Sequence, residues 1–112
     1  MLIAVAADGK TLDARVEPVF GRADYFLLVS TEDMDCKAVE NPFRDDLEKA
    51  GRRMAALLHE YGAVAVLCGE CGPKARLGLA EAGIRVGIGF GGSVRGAVER
   101  FLSLEETVAG GS

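Results

Sequence analysis

The segment AVAVLCGECGPKARLGLAEAG, residues 63–83, joins two kinds of periodicity across one turn. AVAVLC (63–68) is an unbroken apolar run, the pattern of a strand buried on both faces. GPKARLGLAEAG, from residue 72, reads as a short helix, with Pro73 suited to its first turn and Gly83 to its C-terminal cap. IRVGIGF (84–90) reads as a further, glycine-softened strand. Ser93 is then a capping residue for SVRGAVERFLSL, whose inward face is Val94, Ala97, Val98, Phe101 and Leu102. Strands alternating with helices imply right-handed crossovers and parallel pairing.

The first half is organised differently. LIAVAA (2–7) is a second unbroken apolar run, bounded by Asp8 and Gly9, and reads as a central strand. YFLLVS (25–30) and CKAVEN (36–41) are strand-like and separated only by TEDMD, a hairpin-length connection. From Leu47 to Tyr61, apolar residues at 47, 50, 54, 57, 58 and 61 recur at three- and four-residue steps, so one helical face is oily. Asp45 with Glu48 makes a capping box for that helix, and Gly62 stops it. The expectation is an α/β fold: a mixed five-stranded sheet, an antiparallel meander followed by parallel strands, with about three helices. Residues 1–104 form a single domain, with no repeat or linker, and 105–112 a flexible tail.

A chain of 112 residues with 49% apolar and 27% charged residues has the balance of one ordinary globular domain. Its net charge of −4 comes with no basic stripe, which argues against nucleic acid as a partner. The N-terminal apolar run is six residues long before Asp8, far short of a spanning helix or signal core, so the sequence reads as a cytoplasmic protein with no membrane association. Three cysteines are an odd count without a secretory signal, and point to free thiols or metal chemistry rather than a disulfide framework.

In open α/β sheets, ligands bind beyond the carboxyl ends of the parallel strands. Asp8–Lys10, Cys68–Pro73 and Gly89–Ser93 would all end there. A thiolate at a helix N-terminus is favoured by the dipole and by unpaired N–H groups, which makes Cys68 and Cys71 candidate metal ligands. Gly69 and Gly72 would let the backbone approach a bound group, and N–H groups around Gly91 and Gly92 would add donors for an anion. The plainer alternative makes Cys68 a small buried hydrophobe and Cys71 a turn residue, since one C-x-x-C is not a complete zinc site. Cys36 is read as core or strand surface, and His59 as solvent-facing. GIGFGGSVRG (87–96) matches a nucleotide-binding loop only loosely and lacks a P-loop lysine, so it reads as a strand-to-helix turn. With His59 the only histidine and no nucleophile motif around it, no Ser-His-Asp set is suggested.

PVFGRADYFLLV (18–29), the early IAVAAD strand, Asn41 after the third strand, and G-E-x-G-P followed by a helix and AGI-x-V form an ordered set. Together they resemble the dinitrogenase iron-molybdenum cofactor biosynthesis family, that of NifX, NafY and the NifB C-terminal domain, over residues 2 to 104. The resemblance implies a ribonuclease H-like fold and binding of an anionic metal–sulfur cluster rather than catalysis. It places Phe20, Gly21 and Arg22 in the family's HFGR segment, with Val19 where many members carry histidine, and Gly69, Gly72 and Pro73 in its G-x-x-G-P turn. Arg22 would offset cluster charge, and Cys68 and Cys71 could stand in as soft ligands for the missing imidazole.

The function expected is therefore a carrier for iron-molybdenum cofactor, its precursor or a related iron–sulfur or molybdenum cluster, partnered by cluster-donor and cluster-acceptor proteins, as a monomer or homodimer. Two other readings stand beside it: a thiol-disulfide enzyme using Cys68 and Cys71 as a redox couple, and an interaction module that binds no cofactor. A nuclease would need a cluster of carboxylates, for which Asp8 and Asp24 are too few.

Overall fold

The structure is a computed structural model that describes residues 1–45 and 47–110, with the side chains of 47–50 and 106–110 outside the described set. Five strands run β1 (Leu2–Ala7), β2 (Tyr25–Ser30), β3 (Cys36–Glu40), β4 (Ala65–Leu67) and β5 (Arg85–Gly87). Three helices, α1 (Leu47–Tyr61), α2 (Pro73–Glu81) and α3 (Val94–Gly110), complete the order, with a short 3-10 turn at Phe20–Arg22. The sheet order is β3-β2-β1-β4-β5. β1, β2 and β3 pair antiparallel, and β4 and β5 add in parallel on the other side of β1. This is the mixed five-stranded α/β sheet the sequence implies, in the ribonuclease H-like arrangement.

The absence of polar alternation in β1 has a direct cause. Ala4 and Ala6 face an apolar cluster with Met54 and Leu58 of α1 and Leu79 of α2. Ile3, Val5 and Ala7 face the opposite cluster, with Val94, Ala97, Val98 and Phe101 of α3. The sheet is covered on both faces, so neither side of its central strand meets water. On the α1 side, where the fully buried residues of β1 are alanines, Phe20 and Phe26 fill the volume with ring centroids 5.0 Å apart.

Element boundaries follow local chemistry. α2 starts at Pro73, as its sequence predicts, and Ser93 caps α3 by accepting the Gly96 N–H at 3.0 Å. β4 and β5 are shorter than the apolar runs 63–68 and 84–90, and the chain after β5 takes a positive φ of 78° at Gly89 while its N–H still donates to the Gly69 carbonyl. α3 continues to Gly110, through most of the stretch read as a tail, and residues 111 and 112 lie outside the described residues. So does the capping box expected of Asp45 and Glu48.

α1 and α2 approach closely where both present glycine. A Cβ added to Gly51 would lie 2.7 Å from the Ala75 Cα, and one added to Gly78 would lie 3.2 Å from the Arg52 Cα. The bare backbones thus hold the first turn of α2 against the middle of α1.

Candidate functional site

The long connection 8–24, to which the sequence reading assigned no structure, folds over the carboxyl end of the sheet. Glu17 N–H donates to the Ala6 carbonyl at 2.8 Å, and Val16 N–H to the Gly92 carbonyl at 2.9 Å. Further along, Gly69 N–H donates to Glu17 O at 3.3 Å, Glu70 N–H to Pro18 O at 2.6 Å, and Phe20 N–H back to Glu70 O at 3.0 Å. The FGR turn is therefore laced to the C-x-x-C turn along its length. Gly69 is required by this lacing, since a Cβ there would sit 2.5 Å from Pro18 O. The close backbone approach expected at Gly69 is to the protein's own chain.

Asn41 secures the other side of the FGR turn. The residue is 7% exposed, and its Nδ2 donates to Gly21 O at 3.2 Å and to Ala23 O at 2.9 Å. Its Oδ1 accepts the Phe43 N–H at 3.0 Å. Three of its four side-chain hydrogen-bonding positions are thus directed at the backbone around it.

Between the FGR turn and α2 lies an open hollow of about 500 Å³. Val19, Phe20, Gly21 and Arg22 form one wall, Gly72, Pro73, Lys74 and Ala75 the other, and Gly51 contributes from α1. Gly72 is the N-cap of α2 and, lacking a side chain, leaves the first-turn N–H groups without a cap. Those groups carry the positive end of the helix dipole. Arg22 and Lys74 are exposed on opposite walls, so two cations and a helix N-terminus converge on a hollow floored by apolar atoms. Such a set receives an anion with a greasy body.

The α3 end of the rim is built differently. Its first-turn donors are already engaged: Val94 N–H bonds Ala14 O at 2.8 Å, Arg95 N–H bonds Leu12 O at 2.9 Å, and Gly96 N–H takes the Ser93 Oγ. Gly91 and Gly92 are exposed, away from the hollow, and the Gly92 carbonyl accepts from Val16. The first-turn donors of α3 are thus taken by the loop 12–14 and Ser93, whereas those of α2 have no side-chain cap.

Cys68 and Cys71, expected on the rim, lie beneath it. Cys68 is 0% exposed and Cys71 7%, and both pack into the cluster that holds Phe20, Ala75 and Leu79. Neither lines the hollow. Both are free thiols. A hydrogen bond to Cys71, reinforced by burial, pushes the Cys68 thiol well above the ordinary range. Cys71, which receives that bond, is held below its ordinary value, with the Arg76 charge acting in the same direction. Arg76 is anchored here, its Nε donating to the Cys71 carbonyl at 3.1 Å.

Cys36 is half-buried on β3 and His59 is exposed on α1, as read from sequence. A second, polar hollow is bordered by Asp8, Asp24, Glu40 and Asp45, where Arg44 pairs with Asp24. Among the described residues no three His, Cys, Asp or Glu side chains are grouped to hold a metal ion. Sequence reasoning missed Lys74 and Gly51 as parts of the site and the bonding role of Asn41. Proximity of residues about 50 positions apart was the missing information, and the recognised FGR and G-x-x-G-P segments were the signal that could have supplied it.

Fold and site together define an α/β domain in which two recognised segments close around a cationic hollow. The chain belongs to the dinitrogenase iron-molybdenum cofactor family, which matches residues 1–104. It is similar in structure to the apo form of the orange protein from Desulfovibrio gigas, with 41% identity and a TM-score of 0.87 over 91% of this chain and 87% of that one. A Thermotoga protein with a provisional NifB assignment, solved by NMR, aligns with 29% identity and a TM-score of 0.79 over 91% of this chain and 87% of its own. An uncharacterized protein of Methanocaldococcus jannaschii is 32% identical over 89 residues, which is 77% of this chain and 72% of that protein. The family places this chain in the handling of iron-molybdenum cofactor or a related cluster. No helix among the described residues is long and apolar enough to cross a membrane.

Proposed function

We propose that the protein binds and carries an anionic metal–sulfur cluster, iron-molybdenum cofactor, its precursor or a related iron–sulfur or molybdenum cluster, without catalysing a reaction of its own. One observation carries this reading: the FGR turn and the G-x-x-G-P turn meet around a single hollow of about 500 Å³, and its polar groups are the cations Arg22 and Lys74 and the uncapped N-terminus of α2. A metal–sulfur cluster presents negative charge over a polarisable surface. Apolar walls desolvate that surface while the cations and N–H groups answer its charge. The cargo would pass to and from cluster-donor and cluster-acceptor proteins in the cytoplasm through the open side of the hollow.

The experiment is anaerobic reconstitution with iron, sulfide and molybdate, followed by metal analysis and a visible spectrum, on wild type, Arg22→Ala and Lys74→Ala. Stoichiometric colour in the wild type that falls in both variants is the expected result. A wild type that stays colourless and metal-free, or uptake indifferent to both cations, would overturn the reading.

A further inference from the structure

α2 is apolar on both of its faces. Ala75, Gly78 and Leu79 point inward and are buried, as a helix that covers a core requires. Its outer face is apolar as well. Pro73, Leu77 and Ala80 are spaced by four and three residues, so they form one exposed strip, and Leu77 at its centre is 50% exposed. α1 differs: Met54, Ala55 and Leu58 are buried, while Arg52, Arg53, His59 and Glu60 face water. A helix that is oily all round belongs in an interior, yet the outer strip of α2 lies open to solvent.

Cations flank that strip. By helical geometry Lys74 borders it on one side and Arg76 on the other. Arg76 is fixed there, its Nε donating to the Cys71 carbonyl at 3.1 Å. Arg52 of α1 extends the Lys74 side, with its guanidinium 3.8 Å from Glu81, the sole carboxylate of α2. Both partners of that pair are exposed, so it is weak and leaves the Arg52 charge available. The chain carries a net charge of −4, so this gathering of positive charge is a matter of placement and not of composition.

An apolar centre within a charged rim is the anatomy of a protein interface. Its complement is an apolar side chain set between carboxylates. A nucleic-acid backbone would answer the cations and leave the strip uncovered. One leucine buries too little area to hold α2 on a lipid surface. A second copy docked face to face would set like charge against like.

We propose that the outer face of α2, with Leu77 between Lys74 and Arg76, docks an acidic protein surface that presents an apolar side chain between carboxylates. Lys74 belongs both to that face and to the wall of the hollow, so a partner seated there stands at the mouth through which cargo passes. The partner's part as cluster donor or acceptor rests on the carrier reading above, whereas the docking face is tested on cargo-free protein, so either can fail alone.

The probe is a synthetic peptide with paired leucines between runs of glutamate, added to isotope-labelled protein while backbone amide resonances are followed by NMR. Shifts should concentrate at residues 73–81 and near Arg52, and affinity should fall as salt rises. Leu77→Ser and Arg76→Glu should each weaken binding about tenfold, and an all-glutamate peptide should bind less tightly than the leucine-bearing one. The amide spectrum itself reports that each variant is folded. Absence of shifts at millimolar peptide, shifts that map away from α2, or affinity indifferent to Leu77→Ser would overturn the proposal. So would tighter binding of a single-stranded oligonucleotide or of phosphatidylserine vesicles on the same face, or concentration-dependent shifts of α2 without any peptide.

Discussion

Gly72→Asp separates the stability of α2 from the grip of the hollow, because it should move the two in opposite directions. At Gly72 the backbone has φ −66° and ψ 164°, which any residue adopts, and an added Cβ meets nothing within 4 Å. Aspartate is a strong N-cap, worth a few tenths of a kcal/mol over glycine, and its charge at the helix N-terminus adds about 0.3–1 kcal/mol. The variant should therefore unfold about 2–5 °C higher than wild type. Bound cargo faces the reverse. The carboxylate takes the N–H donors that the cargo would use and sets a like charge beside it. A lost charge-assisted hydrogen bond removes about 1.5–3 kcal/mol, and like-charge repulsion at about 4 Å adds on the order of 1 kcal/mol or more near a wet surface. Affinity should fall on the order of 100-fold or more, read by metal content after anaerobic loading and desalting. Loading equal to wild type in a variant of raised melting temperature would refute the assignment of the α2 terminus as the anion grip.

Two further substitutions test the frame around the hollow. Asn41→Ala orphans the Gly21 and Ala23 carbonyls and the Phe43 N–H, and should cost about 2–3 kcal/mol in urea unfolding as well as loosening the wall that carries Arg22; an unchanged midpoint would contradict the role assigned to it. Gly51→Ala should destabilise by about 1–3 kcal/mol despite the better helix propensity of alanine, since the methyl group would press on Ala75 at the start of α2. Stabilisation measured by the same unfolding assay would show that α1 and α2 have room to part.

The fold was readable where periodicity was unbroken. LIAVAA and AVAVLC lack alternation because both faces of the sheet are covered, and Pro73, Ser93 and the oily face of 47–61 mark helices by local rules that need no tertiary information. The site was half readable. FGR and G-x-x-G-P were visible as segments, yet Cys68 and Cys71, just before and within the second, were assigned to the rim, because a turn that follows a strand ordinarily emerges into solvent. What submerges them is the loop 8–24, whose residues Glu17 and Pro18 pair across Gly69 and Glu70. That loop has no periodicity, and its pairing is set by backbone hydrogen bonds, whose one side-chain requirement is the glycine at 69 on the facing turn. The same loop explains why α2 rather than α3 offers its donors, a choice no residue in either helix declares.

The walls of the hollow are joined by a ladder, Phe20 to Glu70 and Glu70 to Pro18, between segments about 50 residues apart in the chain. Neither segment alone encloses anything, so on the carrier reading proposed above a partly folded chain would have no place for cargo and the native state would be its sole receptor. Mass action then links loading to survival: at a free cargo concentration 100 times its dissociation constant, the folded state gains about 2.7 kcal/mol. Empty protein is the form more often unfolded, and so the form that proteolysis removes first. A cell that degrades what unfolds would keep its carriers in proportion to the cargo there is to carry.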